Sequence, residues 1–318
     1  MTNRRLGHTD AELSSIGLGC WQFSEGFGLV GGFWPALPTE LVNEIVAKSL
    51  AGGITWFDTA EAYGKGRSEQ ALARALLAAG KQPGDVFVAT KWLPTPRFAG
   101  SIRTTIGTRI EKLAPFPIDL HQVHQPLGFS SVEAEMNAMA DLVAAKQIRF
   151  VGVSNFGEKR VRRAHAALQQ RGLPLASNQV KYSLLDRRIE SNGVLAASKE
   201  LGVTVIAYSP LEQGLLSGKF HRDPSLLERI GLRKWMPAFR NLEKSRPLIE
   251  ELEAIAKAHG ATPSQVALAW LVSFHGDIVV AIPGATKASH VEENVGAMRL
   301  SLSKRELDRI DERSRRFL

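Results

Sequence analysis

Short apolar runs rich in β-branched residues alternate along the chain with longer amphipathic stretches. The short runs predict buried β-strands, and the amphipathic stretches predict helices with one apolar face. The predicted strands are Ser15–Gly19, Ile54–Asp58, Val86–Lys91, Ile118–His124, Ile148–Ser154, Leu175–Val180, Val203–Tyr208 and Ile278–Pro283. Helices are predicted between them at 40–51, 69–79, 101–113, 132–145, 158–171, 192–201 and 263–274.

This alternation predicts a parallel sheet with its helices outside. Eight strands in a chain of this length fit a closed (β/α)8 TIM barrel better than an open doubly wound sheet. The Gly-x-Gly-x-x-Gly turn of open dinucleotide-binding sheets does not follow the first strand. Three segments exceed the repeat: an N-terminal β-hairpin at Arg4–Leu13, a long loop after strand 7 at 211–246, and an extra C-terminal helix at Lys304–Ser314. Because no linker interrupts the sequence, we expect one domain over residues 1–318.

The composition favours a soluble protein of a reducing compartment. The chain has 318 residues, and its single cysteine, Cys20, excludes an internal disulfide and a cysteine-based structural zinc site. The N-terminus carries no apolar leader, and no stretch reaches the roughly 18 apolar residues of a membrane span. We therefore expect a cytoplasmic protein without a membrane partner.

Basic residues outnumber acidic ones by 40 to 32, which gives a formal net charge of +8. They are scattered, and the densest cluster, at 159–163, falls on a predicted helix. Since motifs of nucleic-acid-binding proteins are absent from the sequence, we interpret the charge as a solvated surface and expect no nucleic-acid partner. No segment is typical of assembly, so a monomer and a weak homo-oligomer both stay open.

Polar residues stand where neighbouring strands end. Asp58, Lys91 and His124 end the second, third and fourth strands, and Tyr63 follows Asp58 by five residues. The active sites of (β/α)8 barrels lie at this end. A lysine beside a tyrosine lowers the tyrosine pKa from about 10, an aspartate keeps the lysine charged, and a histidine can hydrogen-bond the same substrate oxygen. The four residues predict proton transfer to a carbonyl oxygen, and because none can deliver a hydride, they require a cofactor.

Each of the four residues, taken alone, is also compatible with a turn cap, a surface position or packing. Their coincidence at adjacent strand ends favours chemistry. His121 lies three residues before His124 and is predicted to face the other side of the strand, in a structural role. Cys20 has no evident partner base, so we do not expect it to be a nucleophile.

Seven short motifs follow one another along the chain. They are Asp58-Thr59-Ala60-x-x-Tyr63-Gly64, Ala89-Thr90-Lys91, Gln122-Val123-His124, Gly152-Val153-Ser154-Asn155-Phe156, Asn178-Gln179, Ala207-Tyr208-Ser209-Pro210-Leu211, and Ile282-Pro283-Gly284-Ala285-Thr286-Lys287 running into Glu293-Asn294. In this order they resemble the aldo-keto reductase family over essentially the whole chain. The resemblance implies a (β/α)8 barrel that binds a nicotinamide dinucleotide without a Rossmann domain.

The resemblance implies roles for the matching residues. Tyr63 resembles the general acid, Lys91 and Asp58 its tuning pair, and His124 the residue that orients the carbonyl; no metal is implied. The residues that it assigns to the cofactor are Trp21, Asp58, Ser154, Asn155, Gln179, Tyr208, Ser209, Leu211, Gly214, Lys219, Gly284, Thr286, Lys287, His290, Glu293 and Asn294.

These cofactor residues divide along the dinucleotide. Ser154, Asn155 and Gln179 match the carboxamide ligands, and Tyr208 matches the residue that stacks on the nicotinamide. Ser209, Leu211 and Gly214 match the pyrophosphate segment, with Lys219 as a charge partner; the residues from Gly284 to Asn294 match the adenosine end. Ser154-Asn155 is also compatible with a helix N-cap.

Lys287 implies a 2′-phosphate and therefore NADPH (or NADP+) rather than NADH. The sequence departs from the family at His290, where relatives often carry arginine or glutamine, and histidine gives a weaker, pH-dependent contact.

Aromatic residues cluster in the loop after the first strand. Trp21 and Trp34, together with Trp92 after Lys91, predict an apolar wall for the substrate; plugging of the barrel mouth is the alternative. The insertion after strand seven is predicted to be a lid over the cofactor, with a loop of no function as the alternative. Its large side chains are Phe220, Trp235, Phe239 and Arg240.

The sequence thus predicts NADPH-dependent reduction of aldehydes or ketones to alcohols, with hydride from nicotinamide C4 and a proton from Tyr63. The alternative is an NADPH-binding regulatory subunit on the same barrel with little turnover, as in the potassium-channel β subunits that resemble this family. A metal-dependent hydrolase is disfavoured, because the sequence has no His-x-His strand pair or clustered carboxylates. The sequence does not choose among sugars, pyridoxal, methylglyoxal-like and aromatic aldehydes as substrates.

Overall fold

A barrel of parallel strands forms the centre of the computed structural model, which describes residues 3–235, 239 and 242–318. Within these residues, eight strands pair in chain order, each parallel to the next. They are β3 (Leu18–Gly19), β4 (Trp56–Asp58), β5 (Phe87–Trp92), β6 (Leu120–Val123), β7 (Phe150–Ser154), β8 (Leu175–Lys181), β9 (Thr204–Tyr208) and β10 (Val279–Ala281). Parallel bridges from Ile16 to Ala281 and from Gly19 to Gly284 join the first and last strands, so the predicted (β/α)8 barrel is confirmed.

The predicted N-terminal hairpin closes one end of the barrel. Strands β1 (Arg4–Arg5) and β2 (Glu12–Leu13) pair in antiparallel fashion. Leu6 and Leu13 pack with Trp56 of β4 in the interior of the barrel. Gly7 approaches the barrel so closely that a Cβ there would collide with the carbonyl oxygen of Ala176. The opposite end, where the strands finish, is left for a ligand.

Helices surround the strands. They are α1 (Gly28–Gly31), α2 (Thr39–Ala51), α3 (Arg67–Ala78), α4 (Gly100–Leu113), α5 (Val132–Ala144), α6 (Glu158–Gln169), α7 (Val194–Leu201), α8 (Lys219–Arg222), α9 (Leu242–His259), α10 (Pro263–Ser273), α11 (Ala288–Arg299) and α12 (Lys304–Ser314). Capping boxes at Thr262 and Ser303 satisfy the first backbone amides of α10 and α12. Among the residues that the structure describes, no helix is long and apolar enough to cross a membrane.

The insertion after β9 contains more regular structure than the sequence predicts. A 3-10 turn at Glu212–Ser217 precedes α8, another 3-10 segment covers Pro224–Trp235, and α9 already begins at Leu242. The rings of Phe220 and Phe239 meet edge to face, with their centroids 5.2 Å apart. Arg240 and the side chain of Trp235 lie outside what is described, so the lid stays a prediction.

The two-residue period of a strand places the site. In β4, Trp56 points into the packed interior and Phe57 into the outer layer under the helices, so Asp58 again points inward, above Trp56. The same period places Lys91 above Ala89. Neighbouring strands thus bring their last inward side chains together at one rim.

Candidate active site

A cavity of about 870 Å³ opens where the barrel strands end. All sixteen residues predicted for the cofactor line it, as do Tyr63, His124 and Trp34. Lys91 lies behind this wall and is fully buried. The structure therefore brings the predicted catalytic residues and cofactor residues together in one cleft.

Lys91 and Asp58 form a buried ion pair at the base of the cleft. The ammonium of Lys91 donates to Oδ1 of Asp58 and to the carbonyl oxygen of Thr59, the latter at 2.8 Å. Its third contact is the hydroxyl oxygen of Tyr63, at 3.5 Å. One ammonium thus links a carboxylate to a phenol that faces the cavity.

A tight turn directs Tyr63 into the cleft. Gly64, Lys65 and Gly66, directly after it, have left-handed φ values of 64°, 55° and 85°. A Cβ on Gly64 would collide with the carbonyl oxygen of Ser24, so only glycine fits there. The Tyr63 ring lies 6.0 Å from Trp21 and meets the His124 ring edge-on at 5.7 Å.

The pKa of Tyr63 is shifted in the direction opposite to the one expected from the sequence. Burial raises the pKa of Tyr63, and the lowering effect of the Lys91 ammonium does not outweigh it. Burial also acts to lower the pKa of Lys91, but Asp58 and Tyr63 outweigh it and raise that pKa. At neutral pH the site therefore holds a protonated phenol beside a charged ammonium.

His124 is a neutral imidazole. Burial, with a contribution from the charge of Lys91, lowers the pKa of His124 to about 3. A neutral ring has one N–H donor, so it can hydrogen-bond a substrate oxygen without carrying charge. His121, by contrast, is buried and does not line the cavity.

Two glutamines complete the surroundings of Asp58. Nε2 of Gln122 and Nε2 of Gln179 both donate to Oδ2, at 3.1 and 2.9 Å. Sequence reasoning missed Gln122, although its inward position two residues before His124 is a signal. In this structure the amide of Gln179, predicted for the cofactor carboxamide, bonds the carboxylate.

Asn155 connects the strand ends. It has a left-handed φ of 61° and donates from Nδ2 to the carbonyl oxygen of His124 at 3.4 Å. Its Oδ1 accepts from the Tyr208 hydroxyl at 3.0 Å, and Ser154 Oγ donates to the carbonyl oxygen of Gln179 at 2.9 Å. Gly157 is the N-cap of α6, so the N-cap interpretation of Ser154-Asn155 is wrong.

Cationic side chains line the cleft, among them Lys219, Lys287 and Arg222. Lys287 is the N-cap of α11, so the first backbone amides of this helix also favour an anion there. Nδ1 of His290 accepts from the Thr286 amide at 3.3 Å. Burial, followed by Lys219 and Lys287, lowers the pKa of His290, which weakens it as a cation.

The structure does not place Trp92 on the cavity wall. Lys91 points inward, so its neighbour points outward, where Trp92 is 1% exposed and its Nε1 donates to Ser101 Oγ at 3.1 Å. Trp21 and Trp34 do line the cavity, with ring centroids 6.0 Å apart. Cys20 lines it too, but burial raises the pKa of its thiol well above the usual range, against a nucleophilic role.

The cavity wall also contains residues that sequence reasoning missed. They include Gln22, Pro35, Gln125, Gln213, Ser217, Arg222, Ser264 and Ser289. The sequence carries a signal for Arg222, because this residue follows Lys219 closely in the same insertion. Ser264 and Ser289 lie in the first turns of α10 and α11. The remaining residues lie in 3-10 turns or loops, whose path the hydrophobic pattern does not predict.

Comparison with known proteins decides the family. The model of the Aldo/keto reductase family matches residues 15–315. The chain belongs to the aldo-keto reductase family. Aldo-keto reductases bind nicotinamide cofactors, and the chain is an oxidoreductase acting on carbonyl or alcohol groups.

Relatives of this aldo-keto reductase span nearly its whole length. An uncharacterized oxidoreductase of Mycobacterium tuberculosis is 40% identical over 309 residues, which cover 96% of this chain and 91% of that protein. An aldo-keto reductase of Strobilurus tenacellus is 33% identical over 318 residues, which cover 96% of this chain and 90% of that protein.

Solved structures agree with the fold of this aldo-keto reductase. The thermostable aldo-keto reductase Tm1743, solved with the inhibitor epalrestat, superposes with a TM-score of 0.78 at 31% identity and covers 98% of this chain and 100% of its own. The glycerol dehydrogenase of Gluconobacter oxydans superposes with a TM-score of 0.82 at 27% identity. The match covers 99% of this chain and 96% of the glycerol dehydrogenase chain.

Proposed function

We propose that this aldo-keto reductase uses NADPH to reduce aldehydes or ketones to alcohols and that Tyr63 supplies the proton. The observation that carries the proposal is the buried Asp58–Lys91 pair, whose ammonium lies 3.5 Å from the Tyr63 hydroxyl on the wall of the large cleft. A protonated phenol beside a fixed cation suits proton delivery to an oxygen on which negative charge develops.

The residues of the cleft fit a nicotinamide dinucleotide. The cleft, at about 870 Å³, lies at the upper end of the range of ligand pockets. Its wall includes side chains with buried polar atoms that have no hydrogen-bond partner among the described residues: Gln22 Oε1, Gln213 Oε1 and Asn294 Nδ2. Buried polar atoms normally have partners, so a polar ligand is expected here. Tyr208 and Asn155 would hold the nicotinamide end, and Thr286 and Lys287 the adenosine end.

The bound cofactor supplies a hydride to the carbonyl carbon. Tyr63 gives its hydroxyl proton to the carbonyl oxygen, and the ammonium of Lys91 stabilises the phenolate that is left. Asp58 keeps Lys91 charged and fixed. His124 donates its single N–H to the same oxygen and orients the substrate. Trp21 and Trp34 exclude water from the substrate side of the cleft.

The preference for NADPH rests on the charge at the adenosine end. Lys287 lines the cleft beside the start of α11, Lys219 lies close enough to His290 to act on its pKa, and a 2′-phosphate gains from nearby cations. His290 adds little charge, because its pKa is lowered.

We further propose that the chain acts as one barrel domain in the cytoplasm, as a monomer or weak homo-oligomer, with a small carbonyl compound as its substrate.

The test is cofactor binding followed by turnover. The protein is titrated with NADPH and NADH in parallel, and binding is followed by tryptophan fluorescence. Trp21 and Trp34 line the cleft, so their emission is expected to change when a cofactor binds. NADPH oxidation is then followed with aromatic, sugar and dicarbonyl aldehydes, and with glyceraldehyde because one structural neighbour is a glycerol dehydrogenase. Tighter binding of NADPH, with turnover, supports the proposal. Tight binding without turnover on any aldehyde would favour a regulatory role, and no binding of either cofactor would overturn the proposal.

A further inference from the structure

The segment after β9 adopts an unusual backbone conformation. Glu212, Gln213 and Gly214 have consecutive left-handed φ values of 46°, 56° and 88°. Two of the three are not glycine, and a left-handed conformation is strained for residues with a Cβ atom. Surrounding contacts must therefore hold this turn, which is part of the segment predicted for the pyrophosphate.

Glu212 supplies such a contact. Its carboxylate is buried, with a side chain that is 2% exposed. Oε1 accepts from Ser183 Oγ at 3.0 Å and lies 3.0 Å from the ammonium of Lys181. Lys181 ends β8, where it pairs in register with Tyr208, and its ammonium also lies 3.4 Å from Asp186. The turn is thus tied to the end of the neighbouring strand.

A carboxylate in this turn is unfavourable for an anionic ligand. Leu211, Gln213 and Gly214 line the cavity on either side of Glu212 in sequence. A buried negative charge among them would repel a pyrophosphate unless it were neutralised. Lys181 is positioned to neutralise Glu212, because its ammonium lies 3.0 Å from Oε1 and its side chain is partly buried.

We propose that Lys181 and Glu212 are a positioning pair for the cofactor, in which Glu212 anchors the left-handed turn and Lys181 cancels its charge. The inference rests on the proposed function, because it requires a diphosphate at this turn. It assigns neither residue to contact with the reacting atoms. The pair acts through the backbone that would meet the cofactor, so its loss changes cofactor affinity and not the rate of the bound complex.

The experiment compares Lys181→Met, Glu212→Gln and the double variant with the unaltered chain. The Kd for NADPH is measured by tryptophan fluorescence. In addition, kcat is measured at saturating NADPH, and the midpoint of unfolding is measured without ligand. Lys181→Met is expected to weaken NADPH binding about tenfold, because the uncompensated carboxylate of Glu212 would repel the diphosphate. The double variant is expected to recover to within about threefold, since the carboxylate is gone, and kcat is expected to stay unchanged.

Two controls separate this role from a purely structural one. Lys304→Met breaks the exposed ion pair with Asp308, 3.1 Å long on α12, and is expected to leave NADPH binding unchanged. Lys181→Arg keeps the charge and is expected to bind NADPH as the unaltered chain does. If Lys181→Met does not fold, Lys181→Arg takes its place in the test, because it keeps the charge and can make the same contacts. The inference is contradicted if Lys181→Arg weakens NADPH binding as much as is expected for Lys181→Met.

The outcomes distinguish the two proposals. Recovery in the double variant supports the charge-compensating pair. A double variant that binds NADPH as weakly as Lys181→Met or more weakly would mean that only the structural contacts matter, and the inference would be wrong. Lys181→Met with unchanged affinity also overturns it. If the unaltered chain binds neither NADPH nor NADH, the proposed function itself fails.

Discussion

The ammonium nitrogen of Lys91 lies 3.5 Å from the hydroxyl oxygen of Tyr63 while it also bonds the carboxylate of Asp58. Strands position the two charged groups, since Asp58 ends β4 and Lys91 lies in β5, whereas Tyr63 lies in the turn that follows β4. The Lys91 ammonium is held by Asp58 and by the carbonyl oxygen of Thr59, so its charge has a defined place beside the phenol. A charge held in place before reaction is what electrostatic support of a developing charge requires.

Lys91→Met is expected to lower kcat about 10²–10³-fold, because Tyr63 loses the cation that stabilises its phenolate. It also leaves Asp58 buried without a counter-charge, so we expect a loss of about 3–5 kcal/mol in the free energy of unfolding. Urea denaturation measures this loss. Adding Asp58→Asn should recover part of the stability and none of the turnover; recovery of turnover would contradict the assignment. Lys257→Met, on the exposed face of α9, serves as the matched control.

The neutral state of His124 predicts the pH dependence of turnover. Because its pKa is about 3, the ring does not titrate between pH 5 and 8 in the free enzyme. The profile of kcat/KM should therefore show no inflection from His124 in this range. A kinetic pKa near 6.5 that disappears in His124→Gln would show that the ring is charged in the working enzyme and would refute its role as a neutral donor.

His121 predicts a loss of stability in acid. Burial lowers the pKa of His121 to about 3, whereas the pKa in the unfolded chain is about 6.5. Below pH 6.5 the unfolded chain binds a proton that the folded chain does not, so stability falls as pH falls from 6.5 towards 3. Each such group contributes up to about 1.4 kcal/mol per pH unit. In His121→Gln, urea denaturation between pH 6 and 4 should give a correspondingly smaller slope; an unchanged slope would contradict the burial effect.

Tyr208 is predicted to act on the cofactor through both its ring and its hydroxyl. Tyr208→Phe removes the 3.0 Å bond to Asn155 and should raise the KM for NADPH about 2- to 10-fold, the range of one hydrogen bond. Tyr208→Ala also removes the ring and should raise it further. Equal KM values in the two variants, measured by steady-state kinetics, would argue that the ring does not stack on the nicotinamide.

The strand period explains how much of the site is readable from the sequence. Asp58, Lys91 and His124 are predictable because Asp58 and Lys91 are the last inward positions of their strands and His124 is the next inward position after Gln122, directly beyond the end of β6. The same period, applied one residue further, excludes Trp92 from the cavity, since the residue after an inward lysine points outward. Trp92 was predicted to line the cavity because it is next to Lys91 in sequence, but neighbouring side chains of a strand point to opposite faces.

Other features depend on burial and on contacts between distant segments. The pKa of Tyr63 is raised because the loops around it exclude water, and no motif encodes that effect. Gln122 bonds Asp58 across 64 residues of sequence. Nothing in the sequence Glu212-Gln213 predicts two left-handed residues, and the contacts of Glu212 with Lys181 and Ser183 join segments that are distant in sequence.

The central claim is that Tyr63 supplies the proton, and Tyr63→Phe tests it most directly. The variant keeps the ring and its contacts with Trp21 and His124 but loses the hydroxyl. We predict a fall in aldehyde reduction of at least about 10²-fold, with the Kd for NADPH within about threefold of that of the unaltered chain. Full activity in Tyr63→Phe, with NADPH bound as before, would contradict the mechanism.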